Sequence, residues 1–95
     1  MSYKLKYFKS AFKEWKKLDP FIKKQFKKHL IKRLENPYVE SAKLKGYKDL
    51  YKIKLRSVGY RLAYVVNESE ITIYVISVGR RDTIYELLTR VNRKL

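Results

Sequence analysis

The run Tyr51-Lys-Ile-Lys-Leu-Arg-Ser-Val-Gly-Tyr-Arg-Leu-Ala-Tyr64 constrains the fold more than any other stretch of this chain. Apolar and cationic residues alternate from Tyr51 to Arg56, the two-residue period of a strand buried on one face only. Ser57-Val58-Gly59 supplies a turn, and a second strand-like run follows from Tyr60 to Val66. Strands joined by so short a turn pair antiparallel. Tyr51, Ile53 and Leu55 then need cover, and Lys52, Lys54 and Arg56 face the other way.

The remaining elements follow from the same kind of pattern. Tyr3 to Phe8 reads as a first strand with Tyr3, Leu5 and Tyr7 on one face. Ser10 is the expected N-cap of a short helix with Ala11, Phe12, Trp15 and Leu18 on one side. Asp19-Pro20 stops that helix and opens another, with Asp19 as N-cap and Pro20 at the first helical position. The second helix runs to about Glu35 on a buried stripe of Ile22, Phe26, Leu30 and Leu34. Tyr38 to Asp49 is a connection with a turn at Gly46. Leu50 to Leu55 is the second strand, and Asn67-Glu68-Ser69 joins the third strand to a fourth, Glu70 to Val78, ended by Gly79. A last helix carries Ile84, Leu87, Leu88, Val91 and Leu95.

The expected fold is therefore α+β, in the order β-α-α-β-β-β-α. It is an antiparallel sheet with an N-terminal helical hairpin on one face and a C-terminal helix. A length of 95 residues makes residues 1–95 one small domain. The helices occupy one face of the sheet and leave the other for charge.

That charge is large. Lys and Arg number 24 against 9 Asp and Glu, a formal net charge of +15. A folded surface so unbalanced attracts polyanions, and each phosphate contact makes binding weaken with salt. The aromatic residues are spread through strands and helices rather than gathered on one basic amphipathic helix, which disfavours a membrane surface. The chain has no cysteine, so disulfides and thiolate metal sites are excluded. His29 is its one histidine, with no His-rich or carboxylate-rich cluster around it in sequence, so neither a metal nor a cofactor is expected. No apolar stretch suits a signal peptide or a membrane span, and the expected location is the cytoplasm.

The candidate site lies on the sheet. Lys52, Lys54 and Arg56 share one strand face at a spacing of roughly 6–7 Å. Arg61 enters the next strand on the same side, Arg80 and Arg81 leave the fourth, and Tyr85 lies just beyond. A lone lysine there serves well enough as an edge charge that discourages aggregation. No acidic residue lies between Leu50 and Glu68 to pair the set off, and that favours a phosphate ligand. His29 sits among the apolar residues of the second helix and reads as a packed residue. Any RNA cleavage then runs on Lys, Arg and Tyr. Clustered positive charge lowers a lysine pKa and favours tyrosinate, while arginine keeps its charge to stabilise a pentacovalent phosphate.

Several of these stretches resemble the RelE toxins of toxin–antitoxin pairs, within the RelE/ParE superfamily. They are Ala11-Phe-Lys-Glu-Trp-Lys-Lys-Leu18, Lys43-Leu-Lys-Gly46, Tyr51-Lys-Ile-Lys-Leu-Arg-Ser57, Gly59-Tyr-Arg-Leu62 and Val75-Ile-Ser-Val-Gly79. The resemblance covers essentially the whole chain. It implies an endonuclease that cuts mRNA in the ribosomal A site by attack of a 2′-hydroxyl, leaving a 2′,3′-cyclic phosphate and a 5′-hydroxyl. Lys52 and Lys54 would act on the nucleophilic oxygen, Arg61 would bind the scissile phosphate, and Arg81 would stabilise charge and protonate the leaving oxygen. Tyr85 would orient a base. Lys43, Lys45, Arg56, Arg80, Lys23 and Lys27 would touch mRNA or ribosomal RNA. The segment between Arg81 and Tyr85 is shorter than in well-known members. The resemblance also implies an acidic RelB-like antitoxin. The alternatives are a ParE-like gyrase poison, which shares the fold but lacks the lysine–arginine set, and a nucleic-acid-binding module without catalysis.

Overall fold

Residues 2–80 are described by the computed structural model. The strands are β1 (Lys4–Tyr7), β2 (Leu50–Leu55), β3 (Tyr60–Asn67) and β4 (Thr72–Arg80), and the helices α1 (Lys9–Lys17) and α2 (Pro20–Glu35). The expected last helix, with Arg81 and Tyr85, lies outside the described residues. Strands β2, β3 and β4 form the expected antiparallel meander. The sheet order is β1-β4-β3-β2. β1 lies parallel to β4, with Lys4 opposite Thr72 and Tyr7 opposite Val75, so the sheet is mixed rather than purely antiparallel. The reason is connectivity: α1 and α2 carry the chain across before β2, and a long crossover of this kind allows a parallel pair.

Both helices cover one face. Trp15 of α1 packs on Phe26 of α2 with ring centroids 6.2 Å apart. Beneath them lie Tyr51, Ile53, Leu55, Leu62, Tyr64, Val66, Ile73, Val75 and Val78. The alternation in β2 thus sends Tyr51, Ile53 and Leu55 to the core as expected. Ile22, Phe26, Leu30 and Leu34 form the inward stripe of α2. Asp19 caps α2, its carboxylate accepting from the Phe21 N–H at 2.8 Å, with Pro20 at the first position.

α1 departs from expectation at two places. It starts at Lys9 with Phe8, not Ser10, as its extended N-cap, and no side chain caps it. The Phe8 N–H donates to the Val75 carbonyl at 2.9 Å, so strand pairing runs to Phe8 and the helix follows at once. Phe12 is 44% exposed rather than buried. Its ring leans on Tyr7 at 5.6 Å and lies under the Lys16 ammonium at 5.3 Å.

β4 also runs further than the sequence pattern suggests, through Gly79 to Arg80. Its pairing shifts register, because Ala63 faces Ser77 while the adjacent Tyr64 faces Val75. Ile76 is therefore an extra residue, a β-bulge. The bulge resets the alternation, so that Val78 joins the core while Ile76 packs on the other face with Leu50 and Ala63. That second face is not given over to charge alone. Its lower half holds this small apolar cluster, flanked by Leu44, Tyr47, Val65 and Tyr74.

Tyr64 fastens the exit of α2. Its hydroxyl donates to the Pro37 carbonyl at 2.8 Å and accepts from Arg33 Nη1 at 2.8 Å. Its ring stacks on Tyr51 at 5.6 Å. At the far end of the sheet, the Glu68 carboxylate accepts from the hydroxyls of Tyr3, at 2.7 Å, and Tyr38. This clasp ties the N-terminus and the α2 exit to the β3–β4 hairpin.

Candidate active site

The upper half of the uncovered face is built by strand parity. Lys52 and Lys54 alternate with core residues on β2, and register sets the rest across the sheet. Lys54 pairs with Arg61, which pairs with Gly79; Lys52 pairs with Ala63, which pairs with Ser77. Directly opposed residues stand about 5 Å apart, so the stems of Lys54 and Arg61 run side by side. Gly79, Ala63 and Ser77 continue these two rows across the sheet with small residues, Ala63 and Ser77 being buried. The turn at Gly59, with φ of +67°, brings Arg56 and Arg61 to the same end. A hollow there is lined by Lys54, Leu55, Arg56, Gly59, Tyr60 and Arg61.

The electrostatics are one-sided. Among the described residues the single ion pair is Lys17 with Glu14, at 3.6 Å on α1, far from this face in the fold. The Lys54 ammonium is held below its ordinary pKa chiefly by the charge of Lys52, then by desolvation and by Arg61 and Arg56. Nε and Nη1 of Arg61 are buried and have no hydrogen-bond partner among the described residues. An arginine presents its donors in a fixed fork suited to phosphate. Buried donors left unpaired in this way are a standing demand for an acceptor oxygen. Ser77 adds a buried hydroxyl that likewise has no partner.

Of the residues expected from sequence, Lys52, Lys54, Arg56 and Arg61 come together. Arg80 ends β4 opposite Tyr60, at the same end of the sheet. Lys43 is bridged to Tyr51 beside the β2 edge, and Lys43 and Lys45 line a separate groove with Glu40, Gly46, Tyr47 and Lys48. Helical spacing puts Lys23 and Lys27 on the far flank of the α2 stripe, away from β2. Lys23 Nζ donates to the Lys16 carbonyl at 3.2 Å and so braces the helical hairpin. Arg81 and Tyr85 lie outside the described residues.

Sequence reading passed over a second row. Phe21, Gln25, His29 and Arg33 recur every four residues on α2 and line the hollows beside β2. Their four-residue spacing was the available signal. Arg33 Nη1 also donates to the Lys52 carbonyl at 3.3 Å, which fixes the β2 backbone where Lys52 emerges. His29 is half-buried, as expected of a packed helix residue. Its pKa is lowered, first by burial and then by Arg33 and Lys32. No group of three His, Asp or Glu among the described residues is placed to hold a metal. No helix among them is long and apolar enough to cross a membrane.

A hollow lined by Lys54, Arg56 and Arg61 suits binding and strain of a phosphodiester. Comparison with known proteins gives the same direction. Residues 5–85 match the family described as ParE toxin of type II toxin–antitoxin system, parDE. The mRNA interferase toxin RelE of Escherichia coli K12 is 49% identical over 82 residues, 86% of each chain. An arginine-to-alanine double variant of E. coli toxin RelE, solved in the free state, superposes with a TM-score of 0.90. It is 45% identical and matches the full length of both chains. The toxin in the intact E. coli RelBE toxin–antitoxin complex gives a TM-score of 0.82 at 48% identity, over 83% of this chain and 96% of that one. With identity and fold agreeing over most of its length, this chain belongs to the RelE toxin family.

Proposed function

We propose that the chain is the toxin of a type II toxin–antitoxin pair and an mRNA interferase that cleaves codons in the ribosomal A site. The observation that carries this reading is the juxtaposition of Lys54 and Arg61 across β2 and β3, with Lys52 depressing the Lys54 pKa. A lysine so placed loses its proton more readily than a free one. It takes the proton of the 2′-hydroxyl, or stabilises the oxyanion, as that oxygen attacks the adjacent phosphorus. Arg61 supplies its unpaired donors to the non-bridging oxygens, whose negative charge grows in the pentacovalent state. The P–O5′ bond breaks, the 5′-oxygen takes up a proton, and the products are a 2′,3′-cyclic phosphate and a 5′-hydroxyl. Lys52 tunes Lys54 and adds positive charge. Arg81 and Tyr85 complete the set by resemblance, as stabiliser of the leaving oxygen and as base-orienting ring.

The site has no histidine to serve as a general base near neutrality. Its chemistry depends on substrate being held in line, and the ribosome supplies that constraint. Its partners are then mRNA, A-site ribosomal RNA and an acidic RelB-like antitoxin that meets a +15 surface. Its place of action is the cytoplasm. The name of the matching family keeps a gyrase poison as the rival.

The test is to incubate the purified chain with mRNA, free or programmed on ribosomes with an empty A site, and map the ends. Cuts confined to the A-site codon, with cyclic-phosphate termini, support the proposal. Equal cutting of free and bound mRNA makes it a general ribonuclease. No cutting, with gyrase inhibited instead, overturns it in favour of the rival.

A further inference from the structure

The row on α2 faces a groove that the cleavage chemistry leaves unused. One part, of about 310 Å³, lies between His29, Arg33 and Ser41 on one side and Lys52, Lys54 and Arg56 on the other. It continues past His29 and Gln25 to Phe21 and Ser57. Among the described residues no carboxylate lines either part. β2 is an edge strand. Since the Lys52 carbonyl points to Arg33, strand parity turns the N–H of Lys54 the same way. Phe21 is 60% exposed at the mouth, an apolar ring standing beside cations. Lys54 and Arg56 also line the hollow that contains Arg61, so groove and cleavage face are continuous.

We propose that this groove between α2 and the free edge of β2 binds the nucleotide of single-stranded RNA adjacent to the one cleaved, with its phosphate against Arg56, Lys54 and His29 and its base stacked on Phe21. The inference rests on the RNA-cleaving reading above. A cationic track interleaved with an exposed aromatic ring is the usual way of holding a single strand, since every base offers a flat face. The sharing of Lys54 and Arg56 with the Arg61 hollow favours one continuous strand over an unrelated ligand. An acidic protein segment would meet the same cations but make no stacking use of Phe21.

His29 reports on occupancy. The groups facing it are Arg33 and Lys32 from α2, Lys52 and Lys54 from β2, Arg56 just after it, and the neutral Gln25 and Ser41. Burial, then the charges of Arg33 and Lys32, hold its pKa down. A phosphate among them reverses the local field and raises that pKa, so binding strengthens as pH falls through the bound value.

The test uses the full chain and non-cleavable 2′-O-methyl RNAs of two and four nucleotides. Fluorescence anisotropy gives affinity, and NMR follows the His29 ring across pH. The longer RNA is expected to bind about tenfold more tightly and to raise the His29 pKa. Phe21→Ser and His29→Gln are each expected to cut the longer RNA's affinity severalfold, and together to bring it down to that of the shorter. A length effect that survives both substitutions overturns the groove. So does a His29 ring that stays still while the amides of Lys54 and Arg61 move; the RNA-cleaving reading then stands. If RNA moves neither set, the groove proposal falls, and the RNA-cleaving reading is decided separately by A-site cutting on programmed ribosomes. If oligoglutamate moves the His29 ring and RNA does not, the groove belongs to a protein partner and the proposal is wrong.

Discussion

Arg61→Leu is expected to make this protein more stable and almost inactive. Nε and Nη1 of Arg61 are buried without partners among the described residues. Each such donor costs about 1–3 kcal/mol in the absence of an acceptor. The residue is only half-buried, so its remaining nitrogen keeps water and the charge itself is partly solvated. Leucine retains the apolar stem, removes both orphaned donors, and relieves the repulsion from Lys54, its register partner. Counting one donor in full and discounting the other gives a net gain of about 1–3 kcal/mol. For a domain of this size that is a rise in melting temperature of roughly 5 °C or more. Cleavage on ribosomes is expected to fall about a hundredfold or more, the usual loss when a stabiliser of transition-state charge is removed. Urea unfolding and end-mapping of A-site cuts measure the two effects on the same samples. A variant less stable than the parent, at an unchanged urea slope, refutes the argument that Arg61 is held in an unsatisfied state for its substrate.

Tyr64→Phe is expected to cost about 2 kcal/mol, because it orphans the buried Pro37 carbonyl and removes an acceptor from Arg33; a urea midpoint within error of the parent refutes this. Lys52→Met is expected to raise the Lys54 pKa toward its ordinary 10.5, since the Lys52 charge is the first cause of its depression, and carbon NMR of the Lys54 side chain reads the shift. The linkage has a definite sign. The folded value lies below the unfolded one, so the stability cost is present at neutral pH and fades as pH rises through the folded value toward 10.5. Parent protein should therefore gain stability over that alkaline window relative to Lys54→Gln, and parallel profiles would count against it. Ile71→Asn is expected to stabilise by about 1 kcal/mol, because Ile71 is exposed and holds φ of +51°, where a β-branched residue is strained and asparagine is tolerated. A lower melting temperature in that variant would show that the Ile71 side chain contributes packing of its own.

Local chemistry made much of this molecule legible. β2 has its expected limits because alternation, a turn at Gly59 and a buried face all agree there. α2 does too, because Asp19-Pro20 starts it and Asn36-Pro37 follows it. What escaped were matters of pairing and contact at long range. Alternation in β1 says that a strand exists, but not that it lies parallel to β4. The bulge at Ile76 leaves no trace in a run of Val, Ile and Tyr, since either phase is apolar. Ser10 has the right chemistry for a cap, yet the Phe8 hydrogen bond to Val75 sets the helix start two residues earlier. At the site, parity alone brought Lys52, Lys54 and Arg61 to one face. Arg33 and His29 were missed because nothing in a helix sequence tells which polar flank lies against a strand edge.

The parallel pairing of β1 with β4 also governs when the protein comes into being. β1 is made first, but its hydrogen-bond partner, Thr72 to Val75, is among the last described residues to be made. The same late strand pairs with β3 on its other side, placing Gly79 opposite Arg61 and Arg80 opposite Tyr60. A contact spanning so much of the chain is slow to close and cannot form early. A nascent chain that already carries Lys52, Lys54 and Arg61 still has an unpaired first strand and lacks the partner of β3. For a molecule that attacks translation, this topology works as a delay: the sheet that carries its charges closes only once β4 has been made.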